Sequence, residues 1–175
     1  MTSLEIGAWI GAAVLLFWSV GAYNRLVGLR SAIVRGFEPV DAQLLERHAL
    51  LQQQIDAVAA ALPHAAERLE ALRAACVQAE TARAHARTHP GAPGAIKSLG
   101  LADEILGEAR SRLPVQSVGG LDLSDLNARV AAADAALGFA RSQFNAAVLE
   151  YNHAVRQIPT RLIAAAFGFA PAGTL

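Results

Sequence analysis

"DLNARVAAADAALGFARSQFNAAVLEYNHAVRQI", residues 125–158, decides the fold. Its apolar positions are Leu126, Val130, Ala133, Leu137, Ala140, Phe144, Ala147, Tyr151, Ala154 and Ile158. The steps alternate four and three, which keeps one face of a helix against its neighbours. Sustained over this distance, the stripe is the seam of a helix lying lengthwise in a bundle. Pro159 ends it, and "TRLIAAAFGF" behind it reads as a short apolar helical tail stopping near Gly168.

Working outward, "PVQSVGG" (residues 114–120) is a loop, and Ser124 or Asp122 can cap the long helix. Before it, Leu99, Ala102, Leu106, Ala109 and Leu113 predict a shorter helix over residues 95–113. "THPGAPG" (residues 88–94) breaks the chain, and Pro63 opens a helix carrying Ala65, Leu69, Leu72, Cys76 and Ala79. Earlier still, the stripe runs through Leu26, Leu29, Ile33, Phe37, Val40, Leu44, Leu51, Ile55, Val58 and Leu62. Pro39, with Gly36 nearby, is expected to kink or restart this helix. Arg47 and His48 stand where the next apolar residue belongs. No alternating strand pattern occurs. The fold class is all-α: an antiparallel bundle of about four helices with a short C-terminal helical tail.

The beginning of the chain has another character. Nineteen residues without a formal charge, IGAWIGAAVLLFWSVGAYN, lie between Glu5 and Arg25. As a helix they reach about 28 Å, close to the roughly 30 Å of a bilayer's hydrocarbon. A removable signal would open with basic residues, and here Glu5 precedes the run, although Gly21-Ala22 passes for a cleavage site. A buried soluble helix would show a polar face. The reading is a retained transmembrane anchor over residues 1–24 that continues into a bundle domain over residues 25–175. Arg25, Arg30 and Arg35 follow the span and no basic residue precedes it, so the N-terminus is expected outside and the bundle in the cytoplasm. Gly7 and Gly11 form a GxxxG pair that allows close packing between spans.

Composition excludes little by itself. The chain is 54% hydrophobic and 17% charged, with fifteen basic and fifteen acidic residues. That balance gives no global electrostatic case for nucleic acid. The only cysteine, Cys76, cannot form an internal disulfide and falls on an apolar stripe. His85 and His89 share a helical face but stand at a helix end without further ligands nearby, so no metal site is expected. Asp103-Glu104 and Asp122/Asp125 read as solvated faces and caps rather than an acid–base pair. No catalytic residue, cofactor or small-molecule substrate is evident. The polar cluster of Asp41, Glu46, Arg47 and His48 suits either a functional surface or internal ion pairing. The ending "LIAAAFGFAP" suits either a tail folded onto the bundle or a surface for membrane or partner, with Phe167 and Phe169 as contacts.

Two blocks, YNRLVGLRSAIVRGFEPVDAQLLERHALL (residues 23–51) and FNAAVLEYNHAVRQIPTRLIAAAFGFAP (residues 144–171), resemble the LemA family of bacterial membrane proteins. The match includes Asp41, Gln43, Leu44, Arg47 and His48 in the first block, and Tyr151-Asn152 and Phe-Gly-Phe in the second. There are departures. The family's Leu-Ile-Pro-Asn-Leu stretch reads Leu51-Gln52-Gln53 here, a proline stands instead at Pro39, and the usual lysine after Phe-Gly-Phe is Ala170. The resemblance implies a single-pass inner-membrane protein with a cytoplasm-facing helical bundle, and the family's magnetosome-membrane relatives suggest membrane organisation. The expected role is non-enzymatic: a scaffold for self-assembly or partner recruitment at the bilayer, by way of Asp41, Gln43, Arg47, His48, Phe167 and Phe169. The alternative is an accessory subunit or regulator of a membrane enzyme, such as a protease or a TPM-domain protein. Tyr-Asn occurs twice, and with the last helix running back beside the first, Asn24 and Asn152 are candidates for interhelical polar contacts.

Overall fold

The computed structural model describes residues 3–61, 66–112 and 123–175, with side chains from residue 5 onward. Among the described residues, all regular structure is helical. The helices are α1 (Ser3–Ala61), α2 (Ala66–Thr88), α3 (Pro93–Ser111), α4 (Ser124–Arg156) and α5 (Thr160–Ala166). α4 lies along α1 over the longest contact, α2 and α3 pair with each other, and α5 touches both α1 and α4.

α4 buries Val130, Ala133, Leu137, Ala140, Phe144, Tyr151 and Ala154 as its spacing predicts. Toward its end the stripe widens by one residue: Val148 and Val155 are buried beside Tyr151 and Ala154, and Ala147 is only half-buried. A straight helix of 3.6 residues per turn drifts against a seven-residue repeat, and the contact passes to the next side chain. Ile158 departs from expectation. α4 ends at Arg156, so Ile158 leaves the helical face and is 76% exposed. At the other end the cap position falls on Leu123, and Ser124 is the first helical residue rather than the cap. Asp122, Pro63, Leu62, Ala65 and Leu113 lie outside the described residues.

α1 is one helix of 59 residues, about 88 Å at 1.5 Å per residue. It passes through Pro39 without ending, so the helix does not restart there. Pro39 is exposed, while Phe37 and Val40 on either side are buried. Tertiary packing on both flanks offsets the one missing backbone hydrogen bond. Gly36 lies against α4: a Cβ there would meet Phe144 Cα at 3.7 Å, an ordinary contact.

The core has two halves. One gathers Leu26, Ile33, Phe37, Val40, Leu44, Ile96, Leu99, Leu137, Phe144 and Tyr151. The other gathers Leu50, Leu51, Ile55, Leu69, Leu72, Cys76, Leu106, Val130 and Ala133. One helix near the N-terminus is long and apolar enough to cross a membrane. Its first turns stand clear of both halves: Trp9, Ile10, Leu15, Leu16 and Phe17 are all exposed.

Candidate functional site

Between the core halves runs a belt of ion pairs that touches all four long helices. On α1, Arg47 pairs with Asp103 of α3 and, at 3.5 Å, with Asp134 of α4. Asp103 also meets Arg141 of α4 at 2.8 Å, and Arg110 of α3 meets Asp134 at 2.6 Å. The Arg141 pair is a charge contact out of hydrogen-bond alignment, and its buried Nε finds no hydrogen-bond partner among the described residues. Asp41 of α1 accepts from Arg83 of α2, which also donates to Glu80. Burial pushes the Asp103 carboxyl up, and the Arg47 and Arg141 guanidiniums more than offset this, so it titrates below the usual carboxylate range. The Arg83 hydrogen bonds lower Glu80, and those to Glu80 and Asp41 raise Arg83.

Asp41 and Arg47 are therefore turned into the bundle, at 13% and 12% side-chain exposure. Gln43 and His48 are half-buried beside them. Asp103, expected on a solvated face, is 16% exposed, because two cations draw it inward. Cys76 is fully buried in the second core half, and burial raises its thiol. His85 and His89 have ring centroids 5.2 Å apart, and His89 lies 2.8 Å from the Thr88 hydroxyl. Among the described residues no three His, Cys, Asp or Glu side chains gather as a metal site.

The second polar arrangement holds the end of the chain. Beyond α5 the backbone turns at Gly168, whose φ of +70° suits glycine, and runs back along α4. Tyr151 donates its hydroxyl to the Ala170 carbonyl at 3.0 Å. Asn152 donates to the Ala172 carbonyl at 2.9 Å and accepts from the Ala172 N–H at 2.7 Å. Asn145 does the same with Leu175, at 2.7 and 2.8 Å. Seven residues of helix span about 10.5 Å, and three residues of extended chain span about 10 Å. The two asparagines are thus spaced to read one strand of backbone at both ends.

The aromatic residues close the same arrangement from α1. Tyr23 lies 4.9 Å from Phe167 and 5.7 Å from Phe169, ring centre to ring centre. Phe169, Ala172 and Leu175 pack on the first core half. Gly173 passes so close to α3 that an added Cβ would sit 2.8 Å from Pro93 Cα. Under the tail a cleft of about 400 Å³ opens between Arg30, Ile33, His89, Pro93, Tyr151 and Ala172. The two Tyr-Asn pairs thus bear on one tail: Tyr23 through its ring, Tyr151 and Asn152 through hydrogen bonds. Asn24 is exposed on α1. A Cβ on Gly7 or Gly11 would meet nothing within 4 Å among the described residues outside the helix itself.

Sequence reasoning singled out Asn152 and the two phenylalanines but not Asn145, Gly173 or Asp134. A signal existed for Asn145: it stands one heptad before Asn152 on the same helix, immediately after a buried Phe144. Gly173 and Asp134 carried none, since each depends on what another helix brings near.

A family model, that of the LemA family, matches residues 36–175. Neither the curated proteins nor the solved structures give a match. The matched region takes in α1 from Gly36 onward, the whole ion-pair belt, and the tail with the asparagines that hold it. By that match, which covers most of its length, this chain belongs to the LemA family.

Proposed function

We propose that this protein is a non-enzymatic scaffold of the bacterial inner membrane, anchored once by the start of α1 and presenting its bundle in the cytoplasm. The observation that carries this reading is the single unbroken α1. Its first turns expose Trp9, Ile10, Leu15, Leu16 and Phe17, while its remainder is the central helix of a packed bundle. An apolar surface of that kind needs lipid or protein around it. The polar clusters support a structural role too, since Arg47, Asp103, Asp134, Arg83 and Asp41 join helices to one another. The arginines after the span favour the cytoplasmic side for the bundle.

A second reading, an accessory subunit of a membrane enzyme, draws on Phe139, which is 69% exposed on the outer side of α4. An alkaline carbonate wash followed by mass measurement in mild detergent tests both. Retention in the membrane and a defined homo-oligomer support the scaffold, and a stoichiometric co-purifying enzyme supports the accessory subunit. Release by carbonate alone, with the N-terminus intact, removes the anchor and both readings with it.

A further inference from the structure

The net charge of zero hides a strongly polarised molecule. Apart from Glu5, every Asp and Glu falls within residues 38–80 and 103–150. Residues 6–37, 81–102 and 151–175 contain seven arginines and one lysine and no Asp or Glu. The fold brings these three segments to one end. A Cβ on Gly91 would lie 4.0 Å from Ile33 and 3.9 Å from Ala172, and Tyr23 packs on Phe167 and Phe169. That end is the one from which the apolar run of α1 emerges. Arg83 and Arg87 face Asp41 at its border. Arg25, Arg30, Arg35, Arg156 and Arg161 are exposed.

α5 sits at the rim of this basic end. It turns Thr160 and Ala164 toward the bundle. On its outer side Leu162 is 69% exposed; Ile158 just before the helix is 76% exposed and Phe167 just after it 61%. Phe167 packs at a tilt against Tyr23, the last aromatic residue of the uncharged run, so the exposed apolar side chains at the end of α5 adjoin the apolar surface of the span. Apolar side chains ringed by arginines, level with the end of a span, match the boundary between headgroups and acyl chains.

We propose that this end of the bundle rests on the anionic phospholipids of the leaflet from which the anchor emerges. α5 inserts Leu162, and with it Phe167 just after the helix, at the headgroup level, and the exposed arginines face lipid phosphates. The span then supplies only one of two lipid contacts, and the bundle is held upright by the second. This rests on the anchored reading above. It adds an orientation of the bundle and a lipid class which that reading does not need.

The test uses the full chain with Cys76→Ala, reconstituted in vesicles of phosphatidylglycerol and phosphatidylcholine. A solvatochromic dye is attached in turn at Leu162→Cys, Ile158→Cys, Phe139→Cys and Val14→Cys. Quenching by lipids spin-labelled near the headgroup is compared with quenching by aqueous iodide. Positions 162 and 158 are expected to be quenched by the lipid probe and shielded from iodide. Position 139 should behave oppositely, and position 14 should be inaccessible to iodide. Quenching at 162 should fall toward the level at 139 in pure phosphatidylcholine or at high salt. If position 14 is lipid-embedded while 162 and 158 behave like 139, the inference is overturned and the anchor stands. If position 14 is also open to iodide, the anchored reading fails first. Shielding of 162 and 158 from both quenchers overturns the proposal in favour of a protein cover, and indifference to lipid charge and salt overturns its electrostatic part.

Discussion

Asn152 shows how little of a polar residue's work is visible from its own neighbourhood in sequence. Its amide is used at both ends, donating to and accepting from the backbone of Ala172. Asn152→Asp keeps the acceptor and loses the donor, whereas Asn152→Ala loses both. A hydrogen bond of this kind contributes on the order of 1 kcal/mol net. The expected outcome is faster amide hydrogen exchange at Ala172, roughly fivefold to tenfold for the aspartate and more for the alanine, with core amides of α4 unchanged. Equal exchange in all three proteins would mean that apolar packing of Phe169 and Leu175 alone holds the tail. Gly173 tests the same segment by volume. A Cβ 2.8 Å from Pro93 Cα meets backbone rather than a movable side chain, so Gly173→Ala should cost about 1–3 kcal/mol in local opening. Proteolysis of the tail in folded protein would measure it, and no change in cleavage would show that the tail shifts freely.

At the scale of elements, α4 was almost wholly readable from its four-and-three spacing, because burial along a lengthwise seam depends on periodicity alone. The seam drifted only where a straight helix must outrun a seven-residue repeat, and it failed at Ile158, where the helix had already ended. The ion-pair belt was not readable in the same way. Arg47 announced itself by interrupting a stripe, yet its partners Asp103 and Asp134 lie 56 and 87 residues away. No local pattern reports such a meeting. The belt separates two apolar clusters and sets the mutual register of α1, α3 and α4, since sliding any of them by a turn would strand a buried charge. Arg47→Ala should therefore destabilise the bundle by about 3 kcal/mol, Asp103 keeping Arg141 as a partial partner. The acid limb of stability should change as well. A depressed carboxyl stabilises the fold fully above its unfolded pKa, about 3.9, and that stability is lost as pH falls through the lower folded value. Removing the Arg47 guanidinium raises Asp103 and shrinks this contribution. Urea unfolding of the full chain in mild detergent, at several pH values below 5, should show a shallower dependence on pH in the variant. A parallel displacement of the two curves would assign the loss to packing instead.

For the molecule as a whole, α1 fixes how the candidate span and the bundle face each other. The helix is continuous from Ser3 to Ala61, and Ala22 and Leu26 are already buried against the bundle. At 100° per residue, the eleven positions from Gly11 to Ala22 leave about 20° between their directions. The small-residue face of the candidate span thus points to the side on which α4 and α5 hang. Two parallel copies meeting symmetrically through Gly7 and Gly11 would bring both bundles into the space between them. Close pairing there requires α1 to bend or the copies to cross steeply, and among the described residues nothing outside the helix itself lies within 4 Å of a Cβ placed on either glycine to hold such a bend. Assembly through the outer sides of the bundles meets no such obstacle. The expected outcome is that Gly7→Leu with Gly11→Leu leaves the mass of the detergent-solubilised particle unchanged. Inserting two alanines after Asn24 turns the glycine face by about 200° relative to the bundle and frees it for pairing. Crosslinking through Gly11→Cys, in a Cys76→Ala chain, should then rise in the insertion variant and stay low in the parent. Strong crosslinking in the parent, abolished by Gly7→Leu, would show that the spans pair despite the bundles and that α1 is bent in the membrane.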